Sequence, residues 1–226
     1  MARLARVVAA GIPHHVTQRG NRRQQVFFGD DDYAAYRALL AEGCRAAGVA
    51  VWAYCLMPNH VHLILTPSDE DGLRAALGET HRRYTRHVNL REGWRGYLWQ
   101  GRFASCPMDE AYLLACARYV ELNPVRAQLS RRARDWRWSS ARAHLAGKDD
   151  ELVRVRPLLA LAPDWRGFLA EGLDADDHEA IRAGERTGRP LGSTRFIAGL
   201  EKRLDRPLAR QKPGPKPKVD RAGPRR

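Results

Sequence analysis

Cross-linking and ribbon chemistry have nothing to build on in this chain. Its four cysteines, Cys44, Cys55, Cys106 and Cys116, stand far apart with no Cys-x-x-Cys pair. Neither a disulfide framework nor a zinc ribbon is expected, and a reducing, cytoplasmic setting is the simpler one. Long apolar runs are missing too: none approaches the roughly 18 residues of a membrane helix, and Pro13-His14-His15 breaks the start before a signal core could form. Acids are scarce, 26 against 39 Lys and Arg, for a formal charge of +13. Such a balance speaks of partners, with a polyanion the natural one. Arg210 to Arg226 holds seven of the basic residues and one acid, so +6 sits there and +7 remains on the preceding 209 residues. With 226 residues the chain can bury a full core without staples.

Hydrophobic spacing supplies an order of elements. Ile12 to Arg19 reads as a strand ended by the turn signal Gly20-Asn21, with Val26-Phe27-Phe28 extending that edge. Asp30 to Asp32 cap a helix from about Tyr33 to Ala47, with Tyr36, Leu39, Leu40 and Cys44 at helical spacing. Val51 to Met57 is apolar on both faces, as in a central strand, and Pro58-Asn59 turns it into a hairpin with the strand from His60. A strongly basic helix spans Gly72 to about Leu90, and Tyr97 to Ser105 forms a fourth strand. Strand, helix, strand, strand, helix, strand is the order of an α+β, ferredoxin-like split βαβ fold, an antiparallel sheet with both helices on one face. A further helix, about Asp109 to Asn123, would cross the free face. After Pro124 at most short helices are expected until Ser193 to Leu204, and from Arg206 the Pro-, Gly- and Lys-rich chain reads as disordered.

Within this frame His60 and His62 share one face of a strand, roughly 6 to 7 Å apart, while Val61, Leu63 and Leu65 point to the other and can bury. Two imidazoles so placed can converge on a metal ion; spacing alone allows equally two histidines that merely share a strand. Tyr119 could attack a phosphodiester if a metal or cations stabilised the charge on the phosphate oxygens. Asn123, one turn on, could add an amide oxygen. On spacing alone, a boundary aromatic and a helix C-cap serve as well. Arg19, Arg22, Arg23 and Arg102 suit phosphate contacts or plain solvation, and Trp94, Tyr97 and Trp99 suit base stacking or core packing.

Four segments carry a resemblance: His15-Val16-Thr17-Gln18-Arg19-Gly20-Asn21-Arg22 with Phe27-Phe28, Met57-Pro58-Asn59-His60-Val61-His62, Trp99-Gln100-Gly101-Arg102-Phe103, and Arg118-Tyr119-Val120-Glu121-Leu122-Asn123-Pro124-Val125-Arg126-Ala127. Over about residues 11 to 145 the chain resembles the REP-associated tyrosine transposases, a branch of the single-tyrosine HUH nucleases related to insertion-sequence transposases. The resemblance implies that His60 and His62 bind Mg2+ or Mn2+, that Asn123 takes the third-ligand position, and that Tyr119 is the nucleophile. It implies cleavage of single-stranded DNA beside a hairpin through a 5'-phosphotyrosyl intermediate, releasing a 3'-hydroxyl that can later rejoin without ATP. Relatives among mobile elements work as dimers with exchanged helices, while the resemblance to the REP-associated branch favours a monomer, so oligomeric state stays open; the expected setting is the cytoplasm, at the nucleoid, with no membrane. The chain then divides into a transposase domain at 1–145, an extension with short helices at 146–205 and a basic tail at 206–226.

Two other classes compete. A His-x-His zinc hydrolase barrel needs about 250 residues and eight βα units, which this chain lacks. A domesticated DNA-binding protein without cleavage would keep the fold and lose the chemistry. The tail is read as adding DNA affinity and no chemistry. Deleting residues 206 to 226 should weaken DNA binding and flatten its salt dependence, since log K falls by roughly 0.7 per phosphate neutralised on single strands. Unchanged affinity and slope in a salt titration would make the tail a passenger.

Overall fold

The structure, a computed structural model, describes residues 6–209. Four strands, β1 (His14–Arg19), β2 (Val49–Met57), β3 (His60–Pro67) and β4 (Ala104–Pro107), form one antiparallel sheet in the order β2-β3-β1-β4. This is the expected ferredoxin-like arrangement. Helices α1 (Asp30–Ala46) and α2 (Gly72–Glu92) follow β1 and β3 and share one face of the sheet. Val61, Leu63 and Leu65 are buried beneath them with Val16, Tyr36, Leu40, Leu73 and Tyr84. Each such aliphatic side chain contributes about 1.5–3 kcal/mol when fully buried, which holds β3 in one register. Asp32 at the start of α1 is buried and takes both arms of the Arg91 guanidinium from the end of α2, locking the helix pair.

The other face carries α3 (Glu110–Glu121), begun by the Asp109 carboxylate, which accepts from the Tyr112 amide. The helix ends two residues earlier than expected. Asn123 opens a separate short helix, α4 (Asn123–Arg126), because Pro124 has no N–H to continue the ladder. Beyond it come α5 (Ala141–Ala146), α6 (Arg156–Leu159), α7 (Trp165–Ala170), α8 (Ala175–Thr187) and α9 (Thr194–Leu204). The 13-residue α8 contradicts the expectation of only short helices before Ser193. Its buried side is just Ile181 and Gly184, too little apolar surface for a periodic signal.

Other departures have local causes. The fourth strand starts later than Tyr97 because Gly101 takes φ +62°; Trp99 meets Gly20 only in a single bridge. Gly29, not an aspartate, precedes α1, with the three aspartates in its first turn. Val26-Phe27-Phe28 is loop, although Phe27 is buried. β2 is apolar on both faces yet lies at the sheet edge. Segment 138–140 covers that edge: the Leu56 amide donates to Trp138 O at 2.8 Å, and Ser140 N to Tyr54 O at 2.9 Å. At the far end, Leu208 is buried with Val7, Ala9 and Leu200, so residues 206–209 are not all tail; 210–226 lie outside the described residues.

Two buried histidines, His14 and His81, contribute to acid stability. Burial pushes His81 down to about 3 and His14 to about 4; both act as neutral imidazoles, His81 accepting from the Tyr36 hydroxyl and His14 from the Ala9 amide. In the unfolded chain a histidine protonates near 6.5. Between that value and the folded ones the unfolded state therefore binds more protons. Stability is full above about pH 6.5 and falls as pH drops through that window, by up to about 1.4 kcal/mol per unit for each group. Melting temperature followed by circular dichroism should decline steadily below neutrality; a flat profile down to about pH 4.5 contradicts this account.

Candidate active site

Register builds the site. β1 pairs with β3 so that Thr17 faces His62 and Arg19 faces His60. Alternation then places His15, Thr17 and Arg19 on the same face as His60 and His62. The two β3 rings lie 4.9 Å apart, and Tyr119 on α3 stands edge-on to His62 at 5.3 Å and to His15 at 5.9 Å. The expected tyrosine helix does cross the histidine face.

The turn before β3 ties the motif to its arginine loop. Asn59 Oδ1 meets His60 Nδ1 at 2.6 Å, while Asn59 Nδ2 donates to Arg23 O at 2.9 Å. Gly20 is needed here, because a Cβ would fall 2.2 Å from Gln24 O. Arg22 and Arg23 both take positive φ, 52° and 63°. Arg19, Arg23 and Arg102 line a cleft of about 750 Å³ with His60, His62 and Glu185, and two unexpected cations, Arg186 and Arg189, join them. Arg22 is exposed outside that lining, and buried Asn123 is not part of it either. Trp99 is a core residue beside Tyr36, His81 and Tyr84, which removes it from any stacking role. Tyr97 and Trp94 remain 87% and 44% exposed.

Three participants were missed. His15 Nε2 lies 3.1 Å from His62 Nδ1; the alternation of β1 could have revealed it. Arg126 stacks its guanidinium 4.2 Å over the Tyr119 ring. Glu185 arrives on α8, where Gly184 lets the helix approach: a Cβ there would meet Leu191 at 2.9 Å and Cys106 at 3.2 Å. Glu185 Oε1 is 3.6 Å from His62 Nδ1 and 3.8 Å from His15 Nε2.

Electrostatics keep these histidines neutral. Burial pushes His15 and His60 down to about 3, with Arg19 adding to the effect at His60. Burial, then the neighbouring histidines and arginines, holds His62 well below its usual value. The contacts with Glu185 are therefore not ordinary ion pairs. Burial raises Glu185, against the pull of Arg19, the Tyr119 hydroxyl and other arginines. Tyr119 is pushed up to about 12 by burial and then Glu185, with Arg126 opposing. The arrangement suits a cation: neutral imidazoles offer lone pairs, and Glu185 Oε1 and His15 Nδ1 are buried without a hydrogen-bond partner. His15, His62 and Glu185 form a three-donor group of the kind that holds a metal.

Residues 9–123 match the family model described as "Transposase IS200 like". The chain belongs to the IS200-like transposases. Among solved structures, this IS200-like chain is similar to a REP-associated tyrosine transposase determined bound to a REP hairpin. The identity is 22%, with a TM-score of 0.57 over 67% of this chain and 90% of that one. At that identity the likeness concerns the fold. A putative transposase from Deinococcus radiodurans R1 is 23% identical over 57% of this chain and 92% of that one, with a TM-score of 0.37. No curated protein matches in sequence. The face that carries Tyr119 and the histidines thus draws on both sides of the family boundary, since α8 lies beyond the matched residues. Among the described residues no helix is long and apolar enough to cross a membrane.

What steadies Tyr119 is a buried carboxylate two residues along. Glu121 accepts from Ser140 Oγ at 2.5 Å, His144 Nδ1 at 2.6 Å and Trp165 Nε1 at 2.8 Å, tying α3 to α5 and α7. Replacing Glu121 by Ala leaves the buried His144 Nδ1 and Trp165 Nε1 without their acceptor and Ser140 Oγ with only Tyr54 O. Urea unfolding should show a loss of roughly 3–5 kcal/mol; a change below about 1 kcal/mol would show the clamp to be dispensable.

Proposed function

We propose that this IS200-like transposase is a metal-dependent endonuclease that cuts and rejoins single-stranded DNA next to a hairpin through a 5'-phosphotyrosyl intermediate. The observation that carries this reading is Tyr119 standing edge-on to His62, which with His60 lines an arginine-rich cleft. Arg19, Arg23 and Arg102, with Arg186 and Arg189, would hold the phosphate backbone; Arg22 is an outer contact, and exposed Tyr97 and Trp94 offer faces to unpaired bases.

In the reaction the phenol of Tyr119 loses its proton and its oxygen attacks the scissile phosphorus. The bond from phosphorus to the 3'-oxygen breaks, a 3'-hydroxyl leaves and the 5'-phosphate stays on Tyr119. Run backwards, that hydroxyl displaces the tyrosine and restores the strand. Arg126 favours the phenolate by pulling Tyr119 down against its burial. A divalent ion, Mg2+ or Mn2+, would draw charge from the phosphate oxygens. His62 is common to the two donor sets on offer, His60 with Asn123 from the sequence motif and His15 with Glu185 from the fold. Residues 1–145 carry the chemistry as a monomer acting on DNA in the cytoplasm at the nucleoid; 146–205 form an extension to them, and the 206–226 tail adds affinity.

One observation favours the second reading, a DNA-binding protein without cleavage. Tyr119 is only 5% exposed. A labelled hairpin-bearing single strand incubated with Mn2+ separates the two. Cleavage with a covalent adduct on Tyr119 is expected, and Tyr119→Phe should abolish cutting while binding persists. Binding without cutting by the unaltered protein selects the second reading, and an adduct mapped to another residue, such as Tyr112, sinks the nucleophile assignment.

A further inference from the structure

We infer that the arginine-rich segment 126–142 is a second phosphate-binding surface, on the other side of Tyr119 from the cleft, and holds one arm of the DNA. This rests on the DNA-cutting reading above and adds to it the path of the strand. Six arginines and one acid, Asp135, give the segment a net charge of +5, and all of it lies beyond the residues matched to the family. Sheet order sets its place. In β2-β3-β1-β4 the histidine strand β3 has β2 on one side and β1 with β4 on the other. The cleft is lined from β1, β3, the approach to β4 and α8, whose Gly184 lies against Cys106 of β4. Segment 126–142 instead flanks β2: the Trp136 indole donates to Leu56 O at 3.0 Å and Ser140 N to Tyr54 O at 2.9 Å. Its near end touches the nucleophile, with the Arg126 guanidinium 4.2 Å over the Tyr119 ring.

The surface has a fixed backbone. After α4 the chain reverses at Gln128, φ +57°, and the Leu129 amide donates to Pro124 O at 2.9 Å. Ala133 is buried in the same apolar cluster as Tyr119, while Arg131, Arg132 and Arg134 around it are exposed. Ion pairs engage two of the six arginines, Arg134 with Asp135 at 3.9 Å and Arg137 with Asp30 at 2.8 Å. Among the described residues no carboxylate comes within ion-pair reach of Arg126, Arg131 or Arg132. The basic helix α2 differs in this respect, since Arg82, Arg83 and Arg91 are paired with Glu79, Glu42 and Asp32. Unpaired cations held on a fixed turn are free to displace counterions from a phosphate backbone.

Composition tells which part of the DNA is met. The large exposed aromatics Phe28, Trp94 and Tyr97 all lie in other segments. Segment 126–142 therefore contacts phosphates rather than bases, and its contribution is independent of sequence. A strand that occupies the cleft, passes Tyr119 and leaves over Arg126 meets cations on both sides of the cut. Both arms then stay held once the bond between them is broken, which keeps the 3'-hydroxyl near for the return step.

The test measures binding of hairpin-bearing single strands to the full-length protein across a salt series. One substrate has arms on both sides of the cleavage site, and two others are each cut back to that site on one side. The variant combines Arg131→Gln, Arg132→Gln and Arg134→Gln, all exposed, with melting temperature checking its fold. Affinity for the two-armed strand should fall by about tenfold, and the slope of log K against log salt should flatten by about 2. The loss should vanish with one of the trimmed strands and persist with the other. Lysine at the same three positions should restore most of the affinity, because the charge is kept. A loss of equal size on all three substrates, or none on any, overturns the inference, while cutting by the unaltered protein leaves the nuclease standing. If the unaltered protein neither binds nor cuts such strands, both fall.

Discussion

Everything on the histidine face depends on the register of β1 against β3. With Thr17 opposite His62 and Arg19 opposite His60, the polar positions of both strands fall on one side. A slip of one residue would turn His60 and His62 toward α1 and α2 and push Val61, Leu63 and Leu65 outward. The apolar side is what prevents it. Those three side chains are fully buried with Val16, so the register carries the free energy of a core while it positions groups that contribute little to stability themselves.

On that platform the second face is built from parts distant in sequence. Glu121 collects Ser140, His144 and Trp165 in one buried cluster, which fixes the helix bearing Tyr119 against later segments. Asp109 does likewise at the other end of α3, accepting from Ser193 N at 2.7 Å as well as from Tyr112 N. Held at both ends, α3 can present Tyr119 to the histidines without relying on a flexible loop. The covering helix α8 then brings Glu185, Arg186 and the ring of His178, 5.6 Å from Tyr119, over the same face.

Charge is distributed to match. The cleft wall is arginine from the turn after β1, from the segment before β4 and from α8, whereas the floor holds neutral imidazoles and one carboxylate. Phosphate and cation are the complementary species, one drawn to the wall and the other to the floor.

How much of this was written in the chain depended on the range of the signal. Period-two alternation put His60 and His62 together and the aliphatic residues of β3 opposite them, and period 3.6 found α1, α2 and the helix of Tyr119, since each pattern lies within one element. The order of those elements led to the ferredoxin-like sheet, and the basic excess pointed to a polyanion. Tertiary structure alone decided that β2 is an edge strand covered by 138–140, that Trp99 is core, and that His15 joins His62. It also decided that Glu185 belongs to the site. No local pattern marks a glutamate on a helix with so small an apolar side. Only the close approach allowed by Gly184, against β4 residue Cys106, brings that carboxylate to histidines more than 120 residues away in sequence.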